Sequence, residues 1–145
     1  LPKDLLSRAS GRAARVRLPR ALQGRLNRLF ARLVGADLTE AERPPEDYAS
    51  LADFFVRGLA PGLRSWPVDP RDPGSPADGI IGAHGPIHRE TALQAKGIEY
   101  GVADLLGSSE AAERFAGGAF LTIYLAPRHY HRVHTPCTGH LYLAR

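Results

Sequence analysis

Leu22, Leu26, Leu29, Phe30 and Leu33 recur at helical spacing and share one face, with Arg25, Arg28 and Arg32 beside it. Pro19 opens this helix and Gly35 closes it. Ahead of it, Pro2 suits a first helical turn, and Lys3 to about Arg15 reads as a helix that Gly11 weakens. Asp37 to Asp47 is polar, contains Pro44-Pro45, and reads as a linker. Ser50 caps a third helix, with Asp53 three residues on in capping-box spacing. Leu51, Phe54, Phe55 and Leu59 supply its apolar side, and Gly58 lies near its end. Pro61-Gly62 breaks the chain, and Trp66-Pro67 and Pro70 to Pro73 extend a loop.

From Gly74 the pattern shortens into β pieces. Ser75 to Gly79 is a turn and Ile80-Ile81 starts a strand. Ile87, and then Ala92 to Lys96, suggest further strands, with turns at Gly85-Pro86 and Gly97. Val102 to Leu106 and Glu110 to Phe115 read as short helical pieces. Phe120 to Leu125 is apolar and β-prone, the pattern of a buried strand. Pro127 ends it, and Leu141 to Leu143 begin one more strand. A strand begun so near Arg145 has no return partner, so the sequence reads as cut through a domain. The expected class is α+β: amino-terminal amphipathic helices, then an antiparallel β-sheet domain that is apparently truncated.

Composition narrows the picture. At 145 residues with 43% hydrophobic positions, the chain is large enough to bury a core. Its one cysteine, Cys137, excludes an internal disulfide. No apolar run reaches the ~18 residues of a membrane span, and the first residues lack a signal-peptide core. Any membrane contact is therefore expected to be peripheral. Residues 1–35 carry nine Lys/Arg against one acidic residue, while the remainder is net acidic. Such a positive end suits phosphate groups. The leucine face is either packed on its own domain or laid in a lipid interface with its arginines on anionic headgroups. Nucleic acid is disfavoured, since the segment has no aromatic stacking platform beyond Phe30.

Candidate chemistry gathers at His129, His131 and His134, between Pro127 and Pro136. Histidine titrates nearest neutrality, so the cluster suggests proton transfer or metal binding. A zinc site is one alternative, but the usual cysteine spacing and His-Glu-x-x-His helix are missing. Asp78, in Pro76-Ala77-Asp78-Gly79, is either an Asx-turn residue or a carboxylate that orients a histidine. His131 and His134 are three apart and either converge in a tight turn or serve two tasks.

Tyr130-His131-Arg132-Val133-His134-Thr135-Pro136 closely resembles the Tyr-His-Arg-x-His-x-Pro signature of phosphatidylserine decarboxylases. Pro76-Ala77-Asp78-Gly79, Gln94-Ala95-Lys96-Gly97, Phe54-Phe55-Val56-Arg57, Leu1-Pro2-Lys3 and Gly35-Ala36-Asp37-Leu38 resemble further family segments, in the family's order. The resemblance implies a self-cleaving zymogen. A serine hydroxyl attacks the preceding carbonyl and becomes an amino-terminal pyruvoyl cofactor, which forms a Schiff base with phosphatidylserine and releases CO2 and phosphatidylethanolamine. It assigns His134 as the base for that serine, Asp78 as its orienting carboxylate, and His131 to decarboxylation. It implies a helical membrane-association region and linker over 1–47 and a partial catalytic domain, the beta-chain part, over 48–145.

The resemblance also raises the expectation that Leu22, Leu26, Leu29, Phe30 and Leu33 face lipid, on the cytoplasmic side of the cell membrane. The partners it implies are phosphatidylserine, an anionic membrane surface, a missing carboxy-terminal alpha chain and a possible homodimer, with no nucleic acid and no metal. The competing class is a non-catalytic peripheral membrane-binding module; a His-cluster zinc hydrolase ranks below it. Two departures from the family stand out. His129 occupies the place of a usual Asp, which puts His131 in question. The pyruvoyl-forming Gly-Ser belongs downstream, so Gly107-Ser108 is an imitation in the wrong place and the chain alone is expected to be inactive.

Overall fold

The computed structural model describes residues 3–69, 71–87, 91–95 and 98–140. The expectations for Pro2, for Lys96-Gly97 and for a strand from Leu141 lie outside the described residues. The chain forms two compact units. The first runs to Asp78 and takes in Leu125–Thr138; the second is built on Gly79–Tyr124. Helices dominate the first and antiparallel strand pairs the second, an α+β arrangement.

In the first unit, α1 spans Lys3–Ala14, α2 Arg20–Val34 and α3 Leu51–Phe55, with a 3-10 turn at Pro45–Asp47. Gly35 caps α2, giving its N–H to the Ala31 carbonyl. Ser50 caps α3 by accepting from the Asp53 N–H at 3.1 Å, and the Asp53 carboxylate reaches back to the Ala49 N–H at 2.9 Å. The core is Ala31, Tyr48 and Phe54, with Phe30, Leu38 and Leu51 packed against it. Phe54 is fully buried and meets Phe30 and Tyr48 edge to face. The linker expected over Asp37–Asp47 is thus docked rather than free: Pro45 is buried, and Ala41 bridges Leu59.

Helix α2 turns its less apolar face inward. Gln23, Gly24, Asn27 and Ala31 are buried, whereas Leu22, Leu26, Leu29 and Leu33 are exposed. The buried amides are satisfied. Gln23 donates to Asn27 at 2.9 Å, and Asn27 donates to the Pro45 carbonyl at 2.7 Å. Gly24 is required by contact, because a Cβ there would lie 2.9 Å from the Glu46 Cβ and 3.2 Å from its backbone. Arg28 pairs with Glu46 and Arg20 with Asp47, tying the helix to the turn it covers. Phe30 departs from the exposed stripe: its ring lies on the flank that meets Phe54 and Phe55.

In the second unit, β1 (Ile80–Pro86) pairs antiparallel with β4 (Ala119–Tyr124), and β2 (Thr91–Ala95) with β3 (Ile98–Gly101). Helices α4 (Val102–Leu106) and α5 (Ser109–Glu113) follow β3. Ile87, Val102 and Ala112 form the core, with Ala103 and Phe120 against it. Two expectations need correction. Gly85-Pro86 is not a turn but the paired end of β1, opposite Phe120 and Ala119. Proline is tolerated there because a terminal strand position spares its missing N–H. Nor is β4 buried throughout: Leu121 and Tyr124 are exposed, since a two-stranded ribbon covers only part of its surface. At the tempting Gly107-Ser108, Gly107 caps α4 in the left-handed region at φ 62°, and Ser108 caps α5 by accepting from the Ala111 N–H. The serine hydroxyl is engaged in holding a helix, the ordinary work of Ser at that position.

Candidate active site

The histidine segment has no regular structure, and its shape is set by local hydrogen bonds. The His129 N–H donates to the Ala126 carbonyl at 2.9 Å, while His129 Nδ1 accepts from the Ala126 N–H at 3.0 Å. The imidazole thereby does the turn-closing work that a carboxylate oxygen can do. From the end of α3, Arg57 donates to the Arg128 carbonyl at 2.8 Å, and Arg132 donates to the Val56 carbonyl at 2.9 Å. Arg57 is buried over the Phe54 ring, and burial holds its guanidinium below the usual range. Further along, the His134 N–H donates to the Pro76 carbonyl at 2.8 Å, and the Gly74 N–H to the Pro136 carbonyl at 2.7 Å. These two bonds lay the segment against the Pro-Ala-Asp turn.

That pairing brings Asp78 and His134 to one cavity of about 540 Å³, whose walls include Arg64, Trp66, Tyr130 and Arg132. The Asp78 carboxylate is gripped by Arg64. Nε lies 3.1 Å from each oxygen, and Nη2 lies 2.6 Å from Oδ2. The same guanidinium holds Glu40 with two bonds of 3.1 Å. Asp78 first, then Glu40, raise the Arg64 pKa further above its ordinary value. Among the described residues no hydrogen bond joins Asp78 to His134. His134 instead places Nε2 2.9 Å from the Tyr130 hydroxyl and stacks on that ring, with Trp66 edge-on beyond.

His131 faces elsewhere. It is not among the cavity's lining residues, and its ring stacks on Phe55 at 4.1 Å between centroids. Its Nε2 lies 3.1 Å from the Ala126 carbonyl, which can only accept, so Nε2 carries the proton and Nδ1 is the lone-pair nitrogen. Burial pushes its pKa below the ordinary value; the carbonyl bond opposes this, and the charges of Arg57 and His129 reinforce it. The sign follows. Below about pH 6.5 the unfolded chain takes up a proton that folded His131 refuses. This group's contribution is therefore undiminished above that pH and is lost as pH falls toward the folded value. Urea unfolding is expected to show a lower midpoint at pH 5.5 than at pH 7.5, and a His131→Asn variant a smaller difference between the two.

The structure thus joins two of the three expected site residues and separates the third. Sequence reasoning missed Arg64, Tyr130 and Trp66. Tyr130 had a signal, standing four residues before His134 inside the same motif. Arg64 had none, because its partners lie 14 and 24 residues away and meet it only through folding.

Comparison with known proteins agrees with the motifs. The phosphatidylserine decarboxylase family profile matches residues 51–144, and the chain belongs to that family of carboxy-lyases. The phosphatidylserine decarboxylase proenzyme of Myxococcus xanthus is 47% identical over 139 residues, covering 96% of this chain and 50% of the relative. That of Halorhodospira halophila is 47% identical over 146 residues, covering 100% of this chain and 49% of the relative. The chain spans about half the length of the curated relatives it matches.

Proposed function

We propose that this chain is the processing half of a phosphatidylserine decarboxylase, supplying the base and its acid partner to a serine carried by a carboxy-terminal alpha chain. The observation that carries this reading is the shared cavity of Asp78 and His134, fastened by the His134-to-Pro76 backbone bond. The donor set fits a pyruvoyl-forming serine, because Nε2 of His134 already accommodates a hydroxyl at 2.9 Å. His134 takes the proton from the attacking serine oxygen. The Asp78 carboxylate has about four lone-pair sites, of which Arg64 engages three, so capacity remains to stabilise the imidazolium. Once formed, the pyruvoyl group supplies an electron sink for the bond to CO2. His131 offers decarboxylation a neutral imidazole with Nδ1 as acceptor. The test is mass spectrometry of a full-length proenzyme containing this chain, with an assay for phosphatidylethanolamine. An uncut polypeptide that makes none would overturn the proposal.

The substrate is a diacyl lipid, and α2 is suited to its surface. Four exposed leucines share a face, and Arg25 and Arg32 have no ion pair among the described residues. An apolar stripe beside free guanidinium groups favours an interfacial helix on anionic lipid. Peripheral attachment to the cytoplasmic side of the cell membrane follows from this reading. Leu26→Asp with Leu29→Asp is expected to reduce co-sedimentation with phosphatidylglycerol vesicles by roughly tenfold or more, while Arg25→Gln weakens it less and mainly at low salt. Equal sedimentation of the double variant and the parent would remove α2 from the interface.

A further inference from the structure

We propose that Tyr130 is the positioning residue for His134, its hydroxyl holding Nε2 as the lone-pair nitrogen until a serine hydroxyl takes its place. This deepens, and rests on, the reading of His134 as the base. Tyr130 is buried, at 8% exposure, and a buried phenol needs a partner for its O–H. His134 Nε2 is the partner the structure provides, at 2.9 Å. The two rings lie 20° from parallel with centroids 5.5 Å apart, so the imidazole is fixed in tilt as well as direction. Trp66 closes another side of the ring, edge-on at 5.9 Å.

The chemistry of a base requires this choice of tautomer. An imidazole can accept a serine proton only at a nitrogen that bears none, and the bond made at each nitrogen decides which one that is. When Tyr130 donates to Nε2, the proton of the neutral ring is confined to Nδ1. Nδ1–H is the donor that a triad carboxylate holds, and Nε2 is the nitrogen that meets the nucleophile. The tyrosine hydroxyl therefore presets the base before any serine arrives. Exchange of one hydroxyl for another keeps the hydrogen-bond count at Nε2 unchanged, and the displaced Tyr130 O–H then has to find another acceptor, such as the arriving serine oxygen. Both residues lie in one short segment, and the spacing from 130 to 134 is what makes the contact local.

Nitrogen-15 imidazole spectra of this chain near pH 7.5 test the tautomer directly, without any activity. His134 in the parent is expected as Nδ1–H. In Tyr130→Phe, which keeps the stacked ring, it is expected to shift toward Nε2–H. In a full-length proenzyme containing this chain, the same variant is expected to self-cleave about tenfold more slowly, since the base spends less time in the productive orientation. An Nε2–H tautomer in the parent overturns the proposal even if the variant fails to fold. So does an unshifted His134 resonance, or unimpaired cleavage, in a folded Tyr130→Phe chain. His134→Ala separates the two levels: cleavage that survives it sinks the base assignment itself, whereas loss there with full activity in Tyr130→Phe sinks only the role of Tyr130.

Discussion

His134→Ala in a full-length proenzyme containing this chain is expected to lower self-cleavage by at least ~10²-fold, leaving one uncut band over hours. Serine is a weak nucleophile at neutral pH, and among the described residues no other imidazole lines the cavity that Asp78 reaches. His131→Ala separates the roles, because His131 lies outside that cavity on the Phe55 ring. It is expected to leave cleavage largely intact while impairing decarboxylation. Gel analysis of cleavage beside a phosphatidylethanolamine assay reads both. Normal processing of the His134 variant would withdraw the base assignment, and equal loss of processing in both variants would withdraw the division of labour.

Phe54→Ala is expected to destabilise the first unit by about 3–5 kcal/mol, measured by urea unfolding of this chain. The ring is fully buried, meets Phe30 and Tyr48, and lies under the Arg57 guanidinium. Removing it leaves a cavity and also takes the aromatic face from a buried cation that has little other compensation. Arg57 Nε and Nη1 make no hydrogen bond among the described residues. The damage should therefore spread to the histidine segment through the Arg57 bond to the Arg128 carbonyl. Phe54→Leu, which refills much of the volume, is expected to cost less than half as much. A loss under 1 kcal/mol in the alanine variant would mean that the aromatic cluster is not the centre of this unit.

The sequence by itself determined most of the local structure. Proline and glycine punctuation placed α2, and Ser50 with Asp53 marked the start of α3. Those signals are legible because caps and breakers act through neighbours in the chain. Six motif segments in family order identified the chain, and the chemical identities of Asp78, His131 and His134 came with them. Tertiary structure decided the rest. Which face of α2 is buried could not be read from its leucines, because Gln23 and Asn27 fill their hydrogen bonds from each other and from Pro45. The grip of Arg64 on Asp78, the Tyr130 hydroxyl on His134 and the turning away of His131 were equally hidden. Composition and spacing specify which groups are present. Their directions depend on backbone bonds such as His134 to Pro76, made between residues 58 apart, and a local pattern carries no information about a bond of that range.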